Sequence, residues 1–299
     1  MGTPAVAVAA LEALADAGHD IVLVVSQPDK RRHRKSAPEA SPVKAAAAAR
    51  GLPVSDRVAD VAASGAEIGV VVAFGRLIPP AVLRAVPLVN VHFSLLPRWR
   101  GAAPVERAIL AGDTETGVTL MAVDEGLDTG PVYDRRTVAI GPSQSADELR
   151  DELSRLGVEM LVARLAGGRA GLGTPVPQHG EATYAEKVSV EEMRVDWRRT
   201  AGEIDRLVRV GHAWTTCGGE RLAILAARPD AGCEGGCVDA GVRVDAGSVA
   251  CVGDRPRVVV TCGTGCLDLV TVRAQSRSAV SALDWWRGAR LANGAVLGA

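Results

Sequence analysis

The first half of the chain alternates nearly continuous apolar runs with segments whose apolar residues have helical spacing. The apolar runs cover residues 21–26, 68–74, 86–93 and 118–123. Runs of this length, without regular polar alternation, are typical of strands that are buried on both faces of a sheet. Because helical segments separate them, the pattern predicts an α/β domain with a mostly parallel sheet and helices on both faces.

Several segments between and after these runs have the pattern of helices. They cover residues 5–17, 42–50, 102–111 and 145–166. The last is the clearest, because Ser145 and Glu148 form an S-x-x-E capping box and apolar residues then recur at helical spacing. Gly167 and Gly168 mark its C-terminal end.

The second half has a different pattern, in which short strand-like runs are separated by glycines. It follows a stretch rich in glycine and proline, residues 167–180, and one more predicted helix over 202–210. The strand-like runs cover residues 222–225, 241–244, 257–261 and 267–272, which predicts a small β-barrel or sandwich. We therefore expect an α/β domain over 1–174, a linker over 175–203 and a β-rich domain over 204–299.

Composition and charge exclude several classes of protein. Of the 299 residues, 47% are hydrophobic and 23% are charged, which excludes wholesale disorder. The apolar runs are far shorter than the roughly 20 residues that span a bilayer. The N-terminus lacks the pattern of a secretory signal, so we expect a cytoplasmic protein without membrane contact. Basic and acidic residues balance at 34 and 35, so any RNA contact must come from a local patch.

Two polar residues interrupt the strand that is predicted over residues 86–93. Asn90 and His92 are two positions apart, so they lie on the same side of the strand, near its carboxyl end. Ligands of open α/β sheets bind outside the carboxyl ends of the strands. An amide donor beside an imidazole at that place could stabilise a developing oxyanion. The alternative is that both side chains are simply hydrogen-bonded within the core.

An acidic loop follows the strand that is predicted over residues 118–123. Asp124, Glu125 and Asp128 lie in the segment DEGLDTG, which also contains two glycines. One of these carboxylates could reach His92 and act as a base or proton relay. The alternative is an acidic surface turn, and the segment alone does not decide between the two.

The order of these segments resembles the folate-dependent formyltransferase family. The pattern N-x-H-x-S-L-L-P-x-x-R-G covers residues 90–101, and G-L-D-T-G follows at 126–130. The resemblance extends over nearly the whole chain and is greatest to the members that formylate methionine on initiator tRNA. Further matching segments are GTP at 2–4, QPD at 27–29, SPVK at 41–44, WRGAAPVERAILAGD at 99–113, TGVTLM at 116–121 and YAEKVS at 184–189.

The resemblance implies a Rossmann-like catalytic domain followed by a small C-terminal barrel of oligonucleotide-binding (OB) type that binds tRNA. It implies transfer of a formyl group from 10-formyltetrahydrofolate to the α-amino group of methionine on initiator tRNA. Asn90, His92 and Asp128 are then the catalytic residues. The reduced-folate site is then lined by Ser94, Leu95, Leu96 and Pro97. We expect no metal and a monomeric enzyme.

A basic segment directly after the strand predicted over 21–26 is the candidate RNA contact. Its fixed positive charges are Lys30, Arg31, Arg32, Arg34 and Lys35. Such a run is by itself most often a solvated loop, but in the resembling family a basic loop at this place reaches the tRNA acceptor end. Phosphate contacts from these side chains would make binding depend steeply on salt. The aromatic candidates for base stacking, or equally for core packing, are Trp197, Trp214, Trp285 and Trp286.

The cysteines and the first residues leave other interpretations open. All six cysteines follow residue 216, with pairs in CEGGC and CGTGC, so a four-thiolate zinc site is conceivable although ordinary thiols are favoured. The family has a central strand immediately before Gly-Thr-Pro, and this chain begins at Met1-Gly2-Thr3-Pro4. We therefore expect a gap in the sheet and reduced stability.

Two other functions compete with transfer to tRNA. One is formylation of a sugar amine or a purine precursor by the same fold, against which the basic segment and the barrel-like C-terminal half argue. The other is an RNA-binding relative without activity, against which the intact Asn90, His92 and Asp128 argue.

Overall fold

The computed structural model describes residues 1–31, 37–230, 238–239, 242–243 and 245–298. The chain divides into two compact units. The first comprises Met1–Val105, Thr114–Ile140 and Glu148–Lys187, and the second comprises Glu106–Asp113, Gly141–Asp147 and Val188–Ala299. In the described ranges, we find no helix with both the length and the apolar character needed to cross a bilayer.

The helices match most of those that the sequence predicts. They are α1 (Val8–Asp16), α2 (Pro42–Ala49), α3 (Pro80–Ala85), α4 (Pro104–Ala111), α5 (Ala146–Leu165), α6 (Ala201–Val210) and α7 (Ala282–Gly288). The helix predicted over 5–17 begins instead as a 3-10 turn at Ala5–Ala7, directly after Pro4. Helix α2 begins with Pro42 after Ser41, whose hydroxyl accepts a hydrogen bond from the Lys44 N–H at 3.1 Å.

The strands up to residue 187 belong to the first unit. They are β1 (Val24–Val25), β2 (Lys30–Arg31), β3 (Pro38–Glu39), β4 (Val54–Ser55), β5 (Gly69–Val72), β6 (Leu88–His92), β7 (Arg100–Gly101), β8 (Glu115–Ala122), β9 (Val132–Ala139) and β10 (Tyr184–Ala185). A four-stranded sheet has the order β5-β6-β8-β9. The pairs β1–β4 and β5–β6 are parallel, whereas β8 and β9 run antiparallel to their neighbours. The predicted α/β fold is thereby confirmed, with an antiparallel part.

Two strands depart from the sequence-based expectation. The run 21–26 forms a strand only in β1, where Val24 and Val25 pair with Val54 and Ser55 of β4. Strand β9 was not predicted, since it carries a charged and largely exposed segment, YDRR at residues 133–136. Its partner β8 is buried over nearly its whole length, which explains why only that neighbour has the apolar pattern of a core strand.

Strand β6 carries the predicted catalytic pair, and helix α5 packs closely on it. A Cβ atom at Gly157 of α5 would lie 2.6 Å from Cγ1 of Val91, so only glycine permits this approach of helix and strand. On the next strand of the sheet, Thr119 is fully buried and lies opposite His92. The end of β6 is therefore held firmly by both neighbours.

The strands of the second unit confirm the predicted barrel. They are β11 (Trp214–Cys217), β12 (Glu220–Pro229), β13 (Val238–Asp239), β14 (Val242–Arg243), β15 (Ser248–Val252), β16 (Arg257–Thr261), β17 (Cys266–Ala274), β18 (Val280–Ser281) and β19 (Ala295–Val296). The main sheet has the order β11-β12-β17-β16-β15-β19, with β18 beside β17. The Gly298 N–H donates to the Thr216 carbonyl at 2.9 Å, which brings the two edge strands together and nearly closes the sheet.

The tryptophans of the second unit have divided roles. Trp197, Trp285 and Trp286 are buried in its hydrophobic core, so they pack rather than stack on bases. Trp197 also donates from its indole nitrogen to the Thr215 hydroxyl at 3.0 Å. Trp214 alone of these candidates is half-buried.

The cysteines that the structure describes give no sign of a metal site. Cys217, Cys251 and Cys262 are free thiols, and burial raises the pKa of Cys262 to about 12. Among the residues with described positions, no group of three or more His, Cys, Asp or Glu side chains is arranged to hold a metal ion. Cys233 and Cys237 lie outside the described residues.

Candidate active site

The candidate active site lies at the carboxyl end of β6. His92 is buried and Asn90 is half-buried, two positions apart on the same side of the strand. The Nε2 atom of His92 lies 2.9 Å from the Trp99 carbonyl oxygen, to which it donates. This bond fixes the imidazole and leaves Nδ1 as the nitrogen that faces the remaining part of the site.

Asp128 lies on the other side of the imidazole. Its Oδ2 atom is 3.7 Å from His92 Nδ1 and accepts the Gly101 N–H at 2.8 Å. The carboxylate is therefore anchored by the backbone and stays within ion-pairing range of a protonated His92. Of the acids in the loop between β8 and β9, Asp128 is the one that the structure brings to His92, while Asp124 bonds within the loop to the Thr129 hydroxyl at 2.7 Å.

Two residues of the site have backbone conformations that L-residues seldom adopt. The φ angle is 51° at Asp128 and 62° at Trp99. Such conformations persist only where surrounding contacts enforce them, and they are concentrated at functional sites. Here they aim the Asp128 carboxylate and the Trp99 carbonyl at opposite nitrogens of the same imidazole.

Gln178 supports the Asp128 loop and was not found by sequence analysis. Its Nε2 atom donates to the carbonyls of Asp128 and Gly130, both at 2.8 Å. Its Oε1 atom accepts from Arg100, from Nε at 3.2 Å and from the terminal nitrogen at 2.7 Å. Gln178 thus ties the acidic loop to the segment that holds Gly101. It lies in a proline-rich stretch without periodicity, which gave no signal of this role.

The predicted folate segment forms a tight turn after β6. Ser94 and Leu96 are buried, so their side chains shape the turn, whereas Leu95 and Pro97 are half-buried. The hydroxyl of Thr119 donates to the Ser94 carbonyl at 2.6 Å and accepts the Leu96 N–H at 3.2 Å. The turn therefore presents partly exposed apolar side chains directly after the polar pair of β6.

The basic segment is described only at its beginning. Lys30 and Arg31 form β2, which pairs antiparallel with β3, and both side chains are exposed. The Lys30 ammonium donates to Gln27 Oε1 at 2.7 Å. Arg32, Arg34 and Lys35 lie outside the described residues.

A cationic aromatic cluster occurs in the second unit. The guanidinium carbons of Arg221 and Arg194 lie 4.3 and 5.6 Å from the ring centre of Trp214. Its indole nitrogen donates to the Val190 carbonyl at 2.9 Å. Because arginine over an aromatic face is a cation–π arrangement, this cluster joins positive charge to a half-buried ring.

Two family models and curated relatives match this chain. The formyl transferase family matches residues 1–165, and the formyl transferase C-terminal domain matches residues 187–290. A methionyl-tRNA formyltransferase of Dinoroseobacter shibae is 43% identical over 305 aligned residues, which cover 97% of this chain and 97% of that protein.

Solved structures of two other proteins share the fold. An N-formyltransferase from Helicobacter canadensis in complex with folinic acid and dTDP-3-aminofucose has a TM-score of 0.65 at 16% identity, covering 92% of this chain and 97% of that one. HypX from Aquifex aeolicus in complex with tetrahydrofolic acid has a TM-score of 0.60 at 22% identity, covering 80% of this chain and 43% of that one. These identities support the fold alone. The match of both domains and the near-complete coverage at 43% identity show that the chain belongs to the formyl transferase family, with methionyl-tRNA formyltransferases as its relatives.

Proposed function

We propose that this chain transfers the formyl group of 10-formyltetrahydrofolate to the α-amino group of methionine on initiator tRNA, in the cytoplasm and as a monomer. The observation that carries the proposal is the approach of Asp128 to His92 at the end of β6, with Asn90 two positions before His92 on that strand, in a chain whose relatives are named for this reaction. Amino groups of tRNA-bound methionine and of sugars need the same chemistry, so the choice of acceptor rests on the relatives and on the basic segment.

The reaction makes two demands that the site meets. Attack of the neutral amine on the formyl carbon places negative charge on the formyl oxygen, and the attacking nitrogen becomes positive. The Asn90 amide and a protonated His92 Nδ1–H are hydrogen-bond donors for that oxygen. Nδ1 is available for this role because Nε2 is already bound to the Trp99 carbonyl at 2.9 Å.

Protons must also move for the bonds to exchange. The C–N bond to methionine forms as the amine loses a proton, which Asp128 accepts directly or through a water molecule. The C–N bond to the folate nitrogen then breaks as that nitrogen gains the proton back from Asp128, directly or through a water molecule, which restores the carboxylate. The Asp128 carboxylate also lies 3.7 Å from His92 Nδ1. No covalent bond to the protein is needed.

The direct test is formyl transfer with purified protein. We expect formyl-methionyl-tRNA from methionyl initiator tRNA and 10-formyltetrahydrofolate, and a much lower rate with dTDP-linked amino sugars. A folded protein that formylates the amino sugar and not the tRNA would contradict the choice of acceptor. A folded protein that formylates neither would contradict the proposed activity itself.

Replacing Gln178 with leucine is expected to lower kcat by roughly tenfold to a hundredfold. The variant loses both donations from Nε2, so the loop that aims Asp128 is free to shift, and displacements of about 1 Å can cost 10²-fold in rate. The measurement is kcat and KM for both substrates, with the thermal midpoint Tm as a check of folding. Gln275→Leu is the matched control, because Gln275 is exposed and its side chain makes none of these contacts. Equal kcat in the two variants would contradict a positioning role for Gln178.

Replacing Lys30 and Arg31 together with alanine is expected to raise KM for tRNA roughly tenfold, which corresponds to about 1.4 kcal/mol. Both side chains are exposed on β2, so the fold should not change. The slope of log KM against log salt should fall by about one for each phosphate that the variant no longer neutralises. The control removes two other exposed arginines, with Arg57→Ala and Arg84→Ala. A KM for tRNA that rises equally in both double variants would exclude specific contact by the basic segment.

A further inference from the structure

The backbone of residues 99–101 lies between the candidate active site and a later segment of the chain. On one side, the Trp99 carbonyl accepts from His92 Nε2 at 2.9 Å, and the Gly101 N–H donates to Asp128 at 2.8 Å. Both of these side chains are therefore bonded to the same short stretch of backbone. The position of that stretch decides how the imidazole and the carboxylate lie relative to each other.

On the other side of this backbone, Thr183 bonds to both peptide groups of Trp99. The Trp99 N–H donates to the Thr183 hydroxyl at 2.9 Å, and the Arg100 N–H donates to the Thr183 carbonyl at 2.8 Å. The peptide planes on either side of a Cα atom define its φ and ψ angles, so Thr183 fixes both angles at Trp99. In the trans peptide from Trp99 to Arg100, the C=O and N–H groups point in opposite directions, so the carbonyl is directed towards His92.

The conformation of Trp99 needs such contacts. Its φ angle of 62° lies in the left-handed region, which residues with a side chain seldom adopt unless their surroundings enforce it. Ser94 supplies a further contact, because its hydroxyl donates to the Arg98 carbonyl at 2.5 Å. Without the Thr183 hydroxyl, the Trp99 N–H would lose its partner, and the backbone would be free to relax to a more common φ angle.

The segment that contains Thr183 is held against the site by a short strand pair. Strand β10 begins at the next residue and pairs in parallel with β7. The Ala102 N–H donates to the Ala185 carbonyl at 2.9 Å. A Cβ atom at Gly101 would lie 2.9 Å from the same carbonyl oxygen, so glycine is required for this approach of the two strands. The pair therefore places Thr183 beside Trp99.

We propose that Thr183 is a positioning residue for His92, which keeps the Trp99 carbonyl on Nε2 and thereby leaves Nδ1 towards Asp128. A neutral imidazole carries one proton, and the nitrogen that donates to a carbonyl is the one that carries it. Neutral His92 is then the Nε2–H tautomer, and its Nδ1 is open to a further proton. The effect on formyl transfer rests on the proposed function, whereas the tautomer of His92 does not depend on it.

The first measurement is the tautomer of His92, from the nitrogen-15 resonances of its ring at a pH where the ring is neutral. Thr183→Val keeps the branched shape and removes the hydroxyl, whereas Thr183→Ser keeps the hydroxyl. Thr137→Val is the matched control, because Thr137 is an exposed residue of β9. We expect the Nε2–H tautomer in the unaltered chain, the serine variant and the control, and a mixture of both tautomers in Thr183→Val.

The second measurement is the kinetics of formyl transfer. We expect Thr183→Val to lower kcat by about tenfold to a hundredfold, because a displacement of about 1 Å can cost 10²-fold in rate. Both KM values should stay within about twofold, since His92 acts on the transition state rather than on substrate binding. Thr183→Ser should bring kcat back to within about threefold of the unaltered chain, because the hydroxyl again accepts the Trp99 N–H.

The same replacement in a His92→Ala background separates positioning from a general effect on the fold. If Thr183 acts through His92, Thr183→Val should lower the remaining kcat of His92→Ala by less than about twofold. An equal loss in both backgrounds would overturn the proposal, because the hydroxyl would then act on the fold in general.

The remaining outcomes are also decisive. If His92 keeps a pure Nε2–H tautomer in Thr183→Val, the proposal is wrong, whatever the activity. If the tautomer changes as expected but no chain forms formyl-methionyl-tRNA, the positioning role stands and the proposed function fails. If Thr183→Val does not fold, the unaltered chain decides through hydrogen exchange. Its Trp99 amide should exchange at least about tenfold more slowly than an exposed amide, and fast exchange would show that Thr183 does not hold it.

Discussion

Replacing Asp128 with asparagine is expected to lower kcat for formyl transfer by about 10³-fold, within the range that general acid–base catalysis contributes. The asparagine oxygen can still accept the Gly101 N–H, which Asp128 binds at 2.8 Å, so the loop should keep its place. The uncharged amide cannot accept the proton of the amine. The loss should therefore appear in kcat at saturating substrate, with Tm and both KM values close to those of the unaltered chain.

The matched control for this prediction is Asp124→Asn. Asp124 is an exposed carboxylate in the same loop, and it bonds to Thr129 rather than to His92. Its replacement makes the same change of charge and should leave kcat nearly unchanged. Equal losses in the two variants would show that the loop needs negative charge in general, and would contradict a specific role for the Asp128 carboxylate.

Sequence patterns predicted the fold because the core strands carry their own signal. Strand β6 is a short apolar run interrupted at two positions, and the interruption itself identified Asn90 and His92 as candidates. The structure brings His92 and Asp128 together across the end of the sheet, where sequence reasoning had left three carboxylates as candidates. The choice became possible only through the resemblance or the structure, because nothing local in the sequence distinguishes Asp128 from Asp124. The catalytic roles themselves stay predictions.

Contacts between distant segments account for what the sequence did not reveal. Gln178 acts on carbonyls 50 and 48 positions away, and no local pattern records such a contact. The tryptophans show the same limit, since Trp285 and Trp286 are core residues while Trp214 is half-buried against Arg221. A tryptophan is the same residue whether it packs in the core or binds RNA. The sequence alone therefore does not separate the two roles, and the burial of each ring had to be observed in the structure.

The length of β1 illustrates a third kind of limit. Residues 21–26 have the composition of a full strand, yet only Val24–Val25 pairs as one. A strand is defined by its partners as much as by its own residues, and the preceding residues of this run line a cavity. The sequence therefore predicted a strand in this segment correctly, although only Val24 and Val25 pair with β4.

Replacing Asn90 with alanine is expected to lower kcat by about 10² to 10³-fold, the usual loss when one donor to an oxyanion is removed. The amide bonds to the formyl oxygen most strongly when that oxygen carries negative charge, so the interaction belongs to the transition state. We therefore expect both kcat and kcat/KM to fall while KM changes little. Asn90 is half-buried on β6, so Tm should be measured alongside. Asn293→Ala, which removes an exposed amide that accepts the Cys251 N–H at 3.0 Å, is the matched control.

The double variant of Asn90→Ala with Asp128→Asn tests whether the two residues stabilise the same transition state. If the two residues serve the same transition state, the second replacement should cost less after the first, so that the combined loss in kcat is smaller than the product of the single losses. Independent roles, such as folate binding by Asn90 and proton transfer by Asp128, would give losses that multiply. A large rise in KM for the folate in Asn90→Ala, with kcat preserved, would assign the amide to ground-state binding. The oxyanion would then depend on His92 alone, whose Nδ1 lies 3.7 Å from Asp128 and whose Nε2 is already bound to Trp99.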